Sequence, residues 1–171
     1  GWILSNNATR KLKDALQVKA LTISSFINPK DIALLKGDVS DLGNPKYQEL
    51  KSRLIEANSY NGEIRFIYIL GKRYDGQLFY YIDSETPNSK NHSLPGEIYI
   101  GNNPNEAELF DQGLTYIEGP HKDLLGEWIT AYAPIYNTES KAPFAKIGID
   151  MPAEEYHQVW TSIFFATFGI G

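Results

Sequence analysis

The stretch from Gly126 to Met151 predicts a β-hairpin, because two long apolar runs flank a short polar segment. The first arm, residues 127–136, is rich in aromatic and β-branched side chains, which favour strands. Residues 137–141 are polar and typical of a turn. The second arm, residues 144–150, ends in a carboxylate. Long arms joined by a short turn are expected at the centre of an antiparallel sheet, which the rest of the chain covers or extends.

The N-terminal third has helical periodicity. Residues 5–28 predict one long helix with two apolar stripes, and Asn28-Pro29 ends it because the residue before proline resists helical geometry. Residues 31–36 predict a short helical turn capped by Asp31. A further helix is predicted from Pro45, since proline suits the first helical position.

The middle of the chain predicts strands and a crossover. Residues 63–70 are apolar on both faces and therefore read as a central strand. Asp75-Gly76 is a strong hairpin signal, and residues 78–83 supply the partner strand. After a polar loop come a short helix near residues 105–111 and a short strand at 114–117. Gly119-Pro120 then bends the chain into the final hairpin, so that the predicted class is α+β.

Composition narrows the function classes. The 171 residues suit one domain, and 42% apolar with 22% charged residues is ordinary for a folded soluble protein. A net charge of −5 without a basic run argues against nucleic-acid binding. The absence of cysteine excludes disulfides, thiol catalysis and cysteine-ligated metals. His92, His121 and His157 form no metal-binding motif, and no nucleophile elbow or phosphate loop occurs, so we predict no catalytic residue, metal or cofactor.

Both ends of the chain suggest a piece of a longer, membrane-tethered protein. It begins without methionine, and its last charged residue is Glu155. The apolar run Val159–Ile170 is shorter than the roughly 20 residues that span a bilayer. It reads either as the start of a membrane helix or as a helix packed on the core. We favour the membrane helix, because apolar residues lie on all sides of it.

Eight short segments occur in an order that fills most of the chain once. They are Pro45-Tyr47-Leu50-Leu54, Ile67–Leu70, Asp75-Gly76, Phe79–Ser84, Pro95–Glu97, Gly126–Trp128, Ala133–Tyr136 and Ile147–Asp150. In this order they resemble the single-module form of the extracytoplasmic PAS-like sensor domains, also called Cache domains. Such domains occur in membrane-bound histidine kinases, chemoreceptors and diguanylate cyclases.

The resemblance implies a fold, a function and a location. It implies a five-stranded antiparallel sheet, with the long N-terminal helix on one face and a ligand pocket between the other face and the crossover. Residues 1–30 would lead from a membrane helix, residues 31–156 would form the sensor, and residues 157–171 would begin a second membrane helix. The domain would lie outside the cytoplasm at the cell membrane. It would not be an enzyme but would bind a small organic acid, amine or amino acid and move the membrane helices.

A ligand-free structural or dimerisation module is the alternative function. The second apolar stripe of the long helix predicts a parallel homodimer in the intact receptor, with Leu12, Leu16 and Ile23 near the contact.

Candidate ligand-binding residues come from the resemblance and from strand alternation. Asp150 matches the acidic residue that holds the ligand's ammonium group in amino-acid-sensing relatives, although it could equally cap the turn that follows. The Arg-x-Trp-Tyr cluster and Tyr-x-Asp pair of those relatives are absent, so the sequence departs from their scheme. Asp150 and Lys146 are expected to bracket a polar site walled by Trp128 and Tyr132. The full predicted set is Tyr68, Tyr80, Tyr116, Trp128, Thr130, Tyr132, Lys146 and Asp150.

Overall fold

A computed structural model describes residues 2–154 and the side chains of residues 10–154. The predicted membrane-entering segment, residues 157–171, lies outside the described residues. No helix within residues 2–154 has both the length and the apolar character needed to cross a bilayer. The helices are α1 (Trp2–Ser25), α2 (Pro29–Ile32), a 3-10 helix (Val39–Gly43), α3 (Pro45–Ser59) and α4 (Glu106–Gln112). The strands are β1 (Phe66–Lys72), β2 (Leu78–Asp83), β3 (Tyr116–Lys122), β4 (Glu127–Tyr136) and β5 (Pro143–Pro152).

The five strands form one antiparallel sheet in the order β2-β1-β5-β4-β3. Strand β5 is therefore central, and the β4–β5 hairpin occupies the position that its length and apolar character predicted. The chain passes from one edge strand, β2, to the other, β3, through a crossover of residues 84–115 that contains α4. The predicted α+β arrangement, a PAS-like five-stranded sheet with a long N-terminal helix on one face, is confirmed.

Local side-chain caps set the starts of two helices, one of which differs from the prediction. Helix α2 begins at Pro29 rather than at Asp31, because the Asn28 side chain accepts a hydrogen bond from the Lys30 backbone N–H and caps the helix there. Asn44 caps α3 in the same way and leaves Pro45 at the first helical position, as predicted.

Strand β3 is longer than predicted. It continues through a cis Gly119-Pro120 peptide to Lys122, instead of ending at Ile117. The pairing of β3 with β4 shifts register between Glu118 and His121, and such an irregularity lets a sheet include a proline, which cannot donate a ladder hydrogen bond.

The face of the sheet beneath α1 and α3 is the main apolar core. Alternating residues of the central strands point into it, as the sequence predicted for β4. They are Ile67 and Ile69 of β1, Ile129, Ala131, Ala133 and Ile135 of β4, and Ile147 and Ile149 of β5. Leu50 and Leu54 of α3 cover the same face.

The predicted dimer contact requires a correction. Leu12 and Leu16 are buried in this core, since they belong to the stripe of α1 that covers the sheet, and they are not available to a partner. Ile23 is half-buried against the same core. Within residues 10–25 of α1, the large apolar side chains that are exposed are instead Val18 and Leu21.

Candidate functional site

A cavity of about 450 Å³ lies on the opposite face of the sheet, between the strands, the crossover and the β3–β4 loop. Its volume is within the range of small-molecule sites, and its lining combines aromatic rings with a few converging polar groups, as such sites do. The lining residues are Phe66, Tyr68, Tyr80, Asp83, Asn91, Ser93, Tyr99, Ile100, Asn102, His121, Asp123, Leu124, Leu125 and Asp150.

Three tyrosine rings contact one another at this cavity. The centroids of Tyr68, Tyr80 and Tyr99 are 5.5 to 5.9 Å apart. Tyr68 lies against Gly148 of the neighbouring strand, which has no side chain to displace the ring. Burial is the main reason that the pKa of each hydroxyl is raised, so all three are neutral hydrogen-bonding groups at neutral pH.

Asp150 projects from β5 into the cavity, where it is half-buried and forms no ion pair with any of residues 10–154. Its Oδ1 accepts hydrogen bonds from Thr130 Oγ1 at 2.7 Å and from Tyr68 Oη at 3.1 Å. None of residues 10–154 donates a hydrogen bond to its Oδ2. Burial raises the pKa of this carboxyl to about 7, although the two hydroxyl donors oppose that rise. Asp150 is therefore a carboxyl that can gain or lose its proton near neutral pH.

The other two carboxylates of the lining are held by the protein itself. Asp83 forms a buried ion pair with Lys51 of α3, lies 3.1 Å from His92 Nδ1 and accepts from the Ser93 backbone N–H at 2.6 Å. Asp123 Oδ1 accepts from the backbone N–H groups of Leu125 and Gly126 and from the Trp128 indole, all within 3.0 Å. These contacts fix the crossover and the β3–β4 loop around the cavity, and they leave Asp150 as the carboxyl available to a ligand.

Five predicted residues lie at or directly behind this cavity. Tyr68, Tyr80 and Asp150 line it. Thr130 orients Asp150 through their hydrogen bond. Trp128 packs its ring 5.2 Å from that of Phe66 and donates to Asp123, so it supports the wall without lining the cavity.

The remaining three predicted residues form a separate buried cluster beneath α4. Lys146 Nζ forms an ion pair with Glu106, contacts Tyr116 Oη at 2.7 Å and lies 4.1 Å above the Tyr132 ring. Burial lowers the pKa of Lys146, while Glu106 opposes that shift. Tyr132 Oη in turn lies 2.6 Å from Tyr99 Oη, and this contact joins the cluster to the cavity.

Lys146 and Asp150 consequently do not bracket one site. They share a face of β5, but four residues of strand correspond to roughly 13 Å, and the rings of Tyr68 and Tyr132 occupy the space between them. The sequence pattern gave the correct face but not the separation. It also did not identify the contributions of the crossover and the β3–β4 loop, because loop residues have no periodicity to place them. The unpredicted residues of the crossover and loop are Asn91, Ser93, Tyr99, Ile100, Asn102, Asp123, Leu124 and Leu125. Three strand residues of the lining, Phe66, Asp83 and His121, were not predicted either.

Comparison with known proteins identifies the fold. No family model matches the chain, and no curated protein does. The extracellular domain of rpHK1S-Z16, a proposed histidine kinase, matches with a TM-score of 0.50 and 16% identity, over 92% of this chain and 59% of that one. The sensory domain of the Campylobacter jejuni chemoreceptor Tlp3 matches with a TM-score of 0.47 and 14% identity, over 91% and 60%. Its complex with L-valine matches with a TM-score of 0.45 and 13% identity, over 92% and 60%.

The chain spans about three fifths of the length of these solved structures. At this level of identity the likeness concerns the fold alone, and that fold is PAS-like.

Proposed function

We propose that this chain is the extracytoplasmic sensor domain of a membrane-bound signalling receptor, and that it binds a small molecule in the cavity at Asp150. The observation that carries the proposal is a half-buried carboxyl that faces a cavity of ligand size and pairs with no cation among the described residues. A carboxylate with a purely structural role inside the protein would be paired with a cation, because an unpaired buried charge is costly. The fold supports the same function by analogy.

Ligand binding at Asp150 would reach α1 through the sheet. The neighbours of Asp150 and Thr130 along their strands, Ile149 and Ile129, point to the other face and belong to the core under α1. Ser24, near the end of α1, also donates a hydrogen bond to the Pro134 carbonyl of β4 at 2.8 Å. A shift of β4 and β5 would therefore move α1, provided that the ligand binds two sheet conformations unequally. In this proposal residues 1–30 and 157–171 connect the sensor, residues 31–156, to membrane helices.

A thermal-shift screen of the purified chain with small organic acids, amines and amino acids tests the proposal. A ligand at a hundred times its Kd should stabilise the fold by about 2.7 kcal/mol. Asp150→Ala and Tyr80→Ala should weaken its binding, because both side chains line the cavity. Asp14→Asn is the control, since Asp14 is an exposed residue of α1. Equal affinity in the two cavity variants and the wild type would contradict binding at this site.

A ligand-free dimerisation module is a second candidate, and one observation favours it. An apolar groove of about 580 Å³ runs between α1 and α3, beside Val18 and Phe26, which are 61% and 78% exposed. If dimerisation were the function, Val18→Lys would change the association measured by sedimentation and would alter receptor output, whereas cavity variants would not.

A further inference from the structure

The β3–β4 loop, residues 123–126, holds two adjacent leucines in water. Leu124 is fully exposed and Leu125 is about half exposed, although both border the cavity. The loop is fixed around Asp123, whose Oδ1 accepts hydrogen bonds from two loop N–H groups and from the Trp128 indole. The leucines therefore stay at the surface, and a small ligand in the cavity could cover only one side of Leu124. Apolar side chains that a rigid loop presents to solvent are expected to meet another apolar surface.

This loop lies at the end of the sheet where β5 finishes and α1 begins to cover it. Trp128 of β4 pairs with Pro152 of β5, and the adjoining Met151 borders a pocket with Leu12 of α1. The other end of α1 is at the opposite end of the sheet, where Ser24 bonds to the last part of β4. The β3–β4 loop, the end of β5 and the first half of α1 thus share one end of the domain.

A third exposed side chain with a large apolar part lies at the same end. Tyr60 follows the last residue of α3 and is mostly exposed. Five residues later, Arg65 donates its backbone N–H to the Asp150 carbonyl at 2.8 Å, which places the connection from α3 to β1 beside the end of β5. Tyrosine is enriched where proteins meet the boundary between bilayer and water. We call Tyr60, Leu124 and Leu125 the apolar rim.

We infer that the apolar rim contacts the surface of a lipid bilayer, an inference that rests on the membrane tethering proposed above. The reach of the loop fits this arrangement. Helix α1 runs from Leu12 back to Trp2, which is about 15 Å at 1.5 Å per residue. The tip of the loop lies about three residues beyond the Trp128–Pro152 pair, which corresponds to roughly 10 Å. The leucines thus reach nearly as far as the start of α1, where the proposed connection to the membrane lies.

The apolar side chains, and not a net charge, would drive this contact. The exposed charges at this end have both signs, as Arg10 and Lys11 of α1 and Asp14 and Glu127 show. Transfer of apolar area out of water is favourable whatever the charge of the lipid. Two leucines and a tyrosine would bind a membrane weakly from solution, but a domain tethered beside the membrane has a high effective concentration there. The contact should therefore be insensitive to salt and should not require anionic lipids.

Site-specific labelling tests the contact, because the chain contains no cysteine. Leu124→Cys would carry an environment-sensitive nitrobenzoxadiazole dye, in the whole chain with phosphatidylcholine vesicles. The control is Tyr74→Cys, since Tyr74 is fully exposed in the β1–β2 turn at the opposite end of the sheet. On vesicles the dye at position 124 should shift to the blue and be quenched roughly twofold by spin-labelled lipid, because it enters the interface. The dye at position 74 should change in neither respect, and salt should not alter the result.

A second comparison measures the contribution of the leucines without a dye. The double variant Leu124→Ser, Leu125→Ser should weaken vesicle binding of the whole chain about tenfold in flotation assays, because two apolar side chains are lost from the contact. The matched pair Val18→Ser, Leu21→Ser removes two exposed apolar side chains from the middle of α1 and should leave binding unchanged. Both double variants should melt close to the wild type, since all four side chains are exposed. If the leucine variant binds vesicles as tightly as the wild type, the contact at the rim is disproved.

Three further results would overturn the inference. One is a dye at position 124 that stays in water while the chain is bound to vesicles, or a chain that binds no vesicles. Another is a blue shift that appears without lipid and grows with protein concentration, which would assign the rim to a second copy of the chain. The third is a shift caused by a ligand from the thermal-shift screen and not by vesicles, which would make the loop a lid of the cavity. That screen uses no lipid, so the sensor function is decided separately from the contact at the rim.

Discussion

The face of the sheet beneath α1 and α3 is built mostly from isoleucine, leucine and alanine, whereas the face beneath the crossover is rich in tyrosines and also holds carboxylates and the buried Lys146. Both faces are well buried, but by different means. On the helix side, residues such as Ile147 and Ile149 stabilise the fold because their apolar side chains are removed from water. On the crossover side, the buried Lys146 is paired with Glu106 and the half-buried Asp150 accepts a hydrogen bond from Thr130, because burying such groups without partners is costly.

The difference teaches where specificity resides in this fold. Aliphatic contacts are non-directional, and many sequences could supply the helix-side core. The crossover side consists of directed contacts in which the loss of one group leaves another unsatisfied. This asymmetry predicts that substitutions on the crossover side have large and pH-dependent consequences, while those on the helix side follow buried volume.

The largest expected effect concerns the buried ion pair. Lys146→Met should lower the free energy of unfolding by about 3–5 kcal/mol, because Glu106 would remain buried without its cation. The double variant Lys146→Met, Glu106→Gln should recover most of that loss, since it removes both charges. Urea denaturation at pH 7 measures both. If the single variant loses less than about 1 kcal/mol, solvent must reach the cluster and screen the charge of Glu106.

The sequence predicts the helix-side face better than the crossover side, for a physical reason. Period-two alternation identified Ile129, Ala131, Ala133 and Ile135 as one set, because every residue of a strand points to one of two sides. The same counting placed Lys146 with Asp150. It could not reveal that α4 supplies Glu106 to the lysine, since the two residues are 40 positions apart in the sequence and their pairing depends on the path of the crossover. Local patterns determine faces, and tertiary contacts determine partners.

The next effect is the pH dependence caused by Asp150. Its pKa rises from an ordinary 3.8 to about 7 on folding. Between these values the folded chain binds a proton that the unfolded chain has lost, so stability falls as pH rises and the loss is complete above about pH 7. Asp150→Asn keeps an acceptor for Thr130 and Tyr68 but cannot ionise. The variant's unfolding free energy relative to wild type should therefore increase by about 2–3 kcal/mol from pH 5 to pH 8.

Thermal or urea unfolding of the two proteins at several pH values measures that difference. All other ionisable groups are common to both proteins, so their contributions cancel in the comparison. A difference that is constant with pH would show that Asp150 has an ordinary pKa in the folded chain.

The smallest effect is expected from substitutions at two adjacent residues of β5 that lie on opposite faces of the sheet. At Gly148 an added Cβ would lie 2.8 Å from Tyr68 Oη and closer still to the ring, so Gly148→Ala should displace the tyrosine from Asp150. Ile147 is fully buried on the helix side, and Ile147→Val removes one methyl group there. Each change should cost about 1–2 kcal/mol, one by overpacking and the other by a small cavity.

Their effects on ligand affinity should nevertheless differ, because only the glycine variant disturbs a hydrogen bond at the cavity. Gly148→Ala should weaken binding several-fold, while Ile147→Val should leave it unchanged. Equal affinities would show that the Tyr68 contact does not shape the site, whereas a loss in Ile147→Val would show that the two faces are not independent.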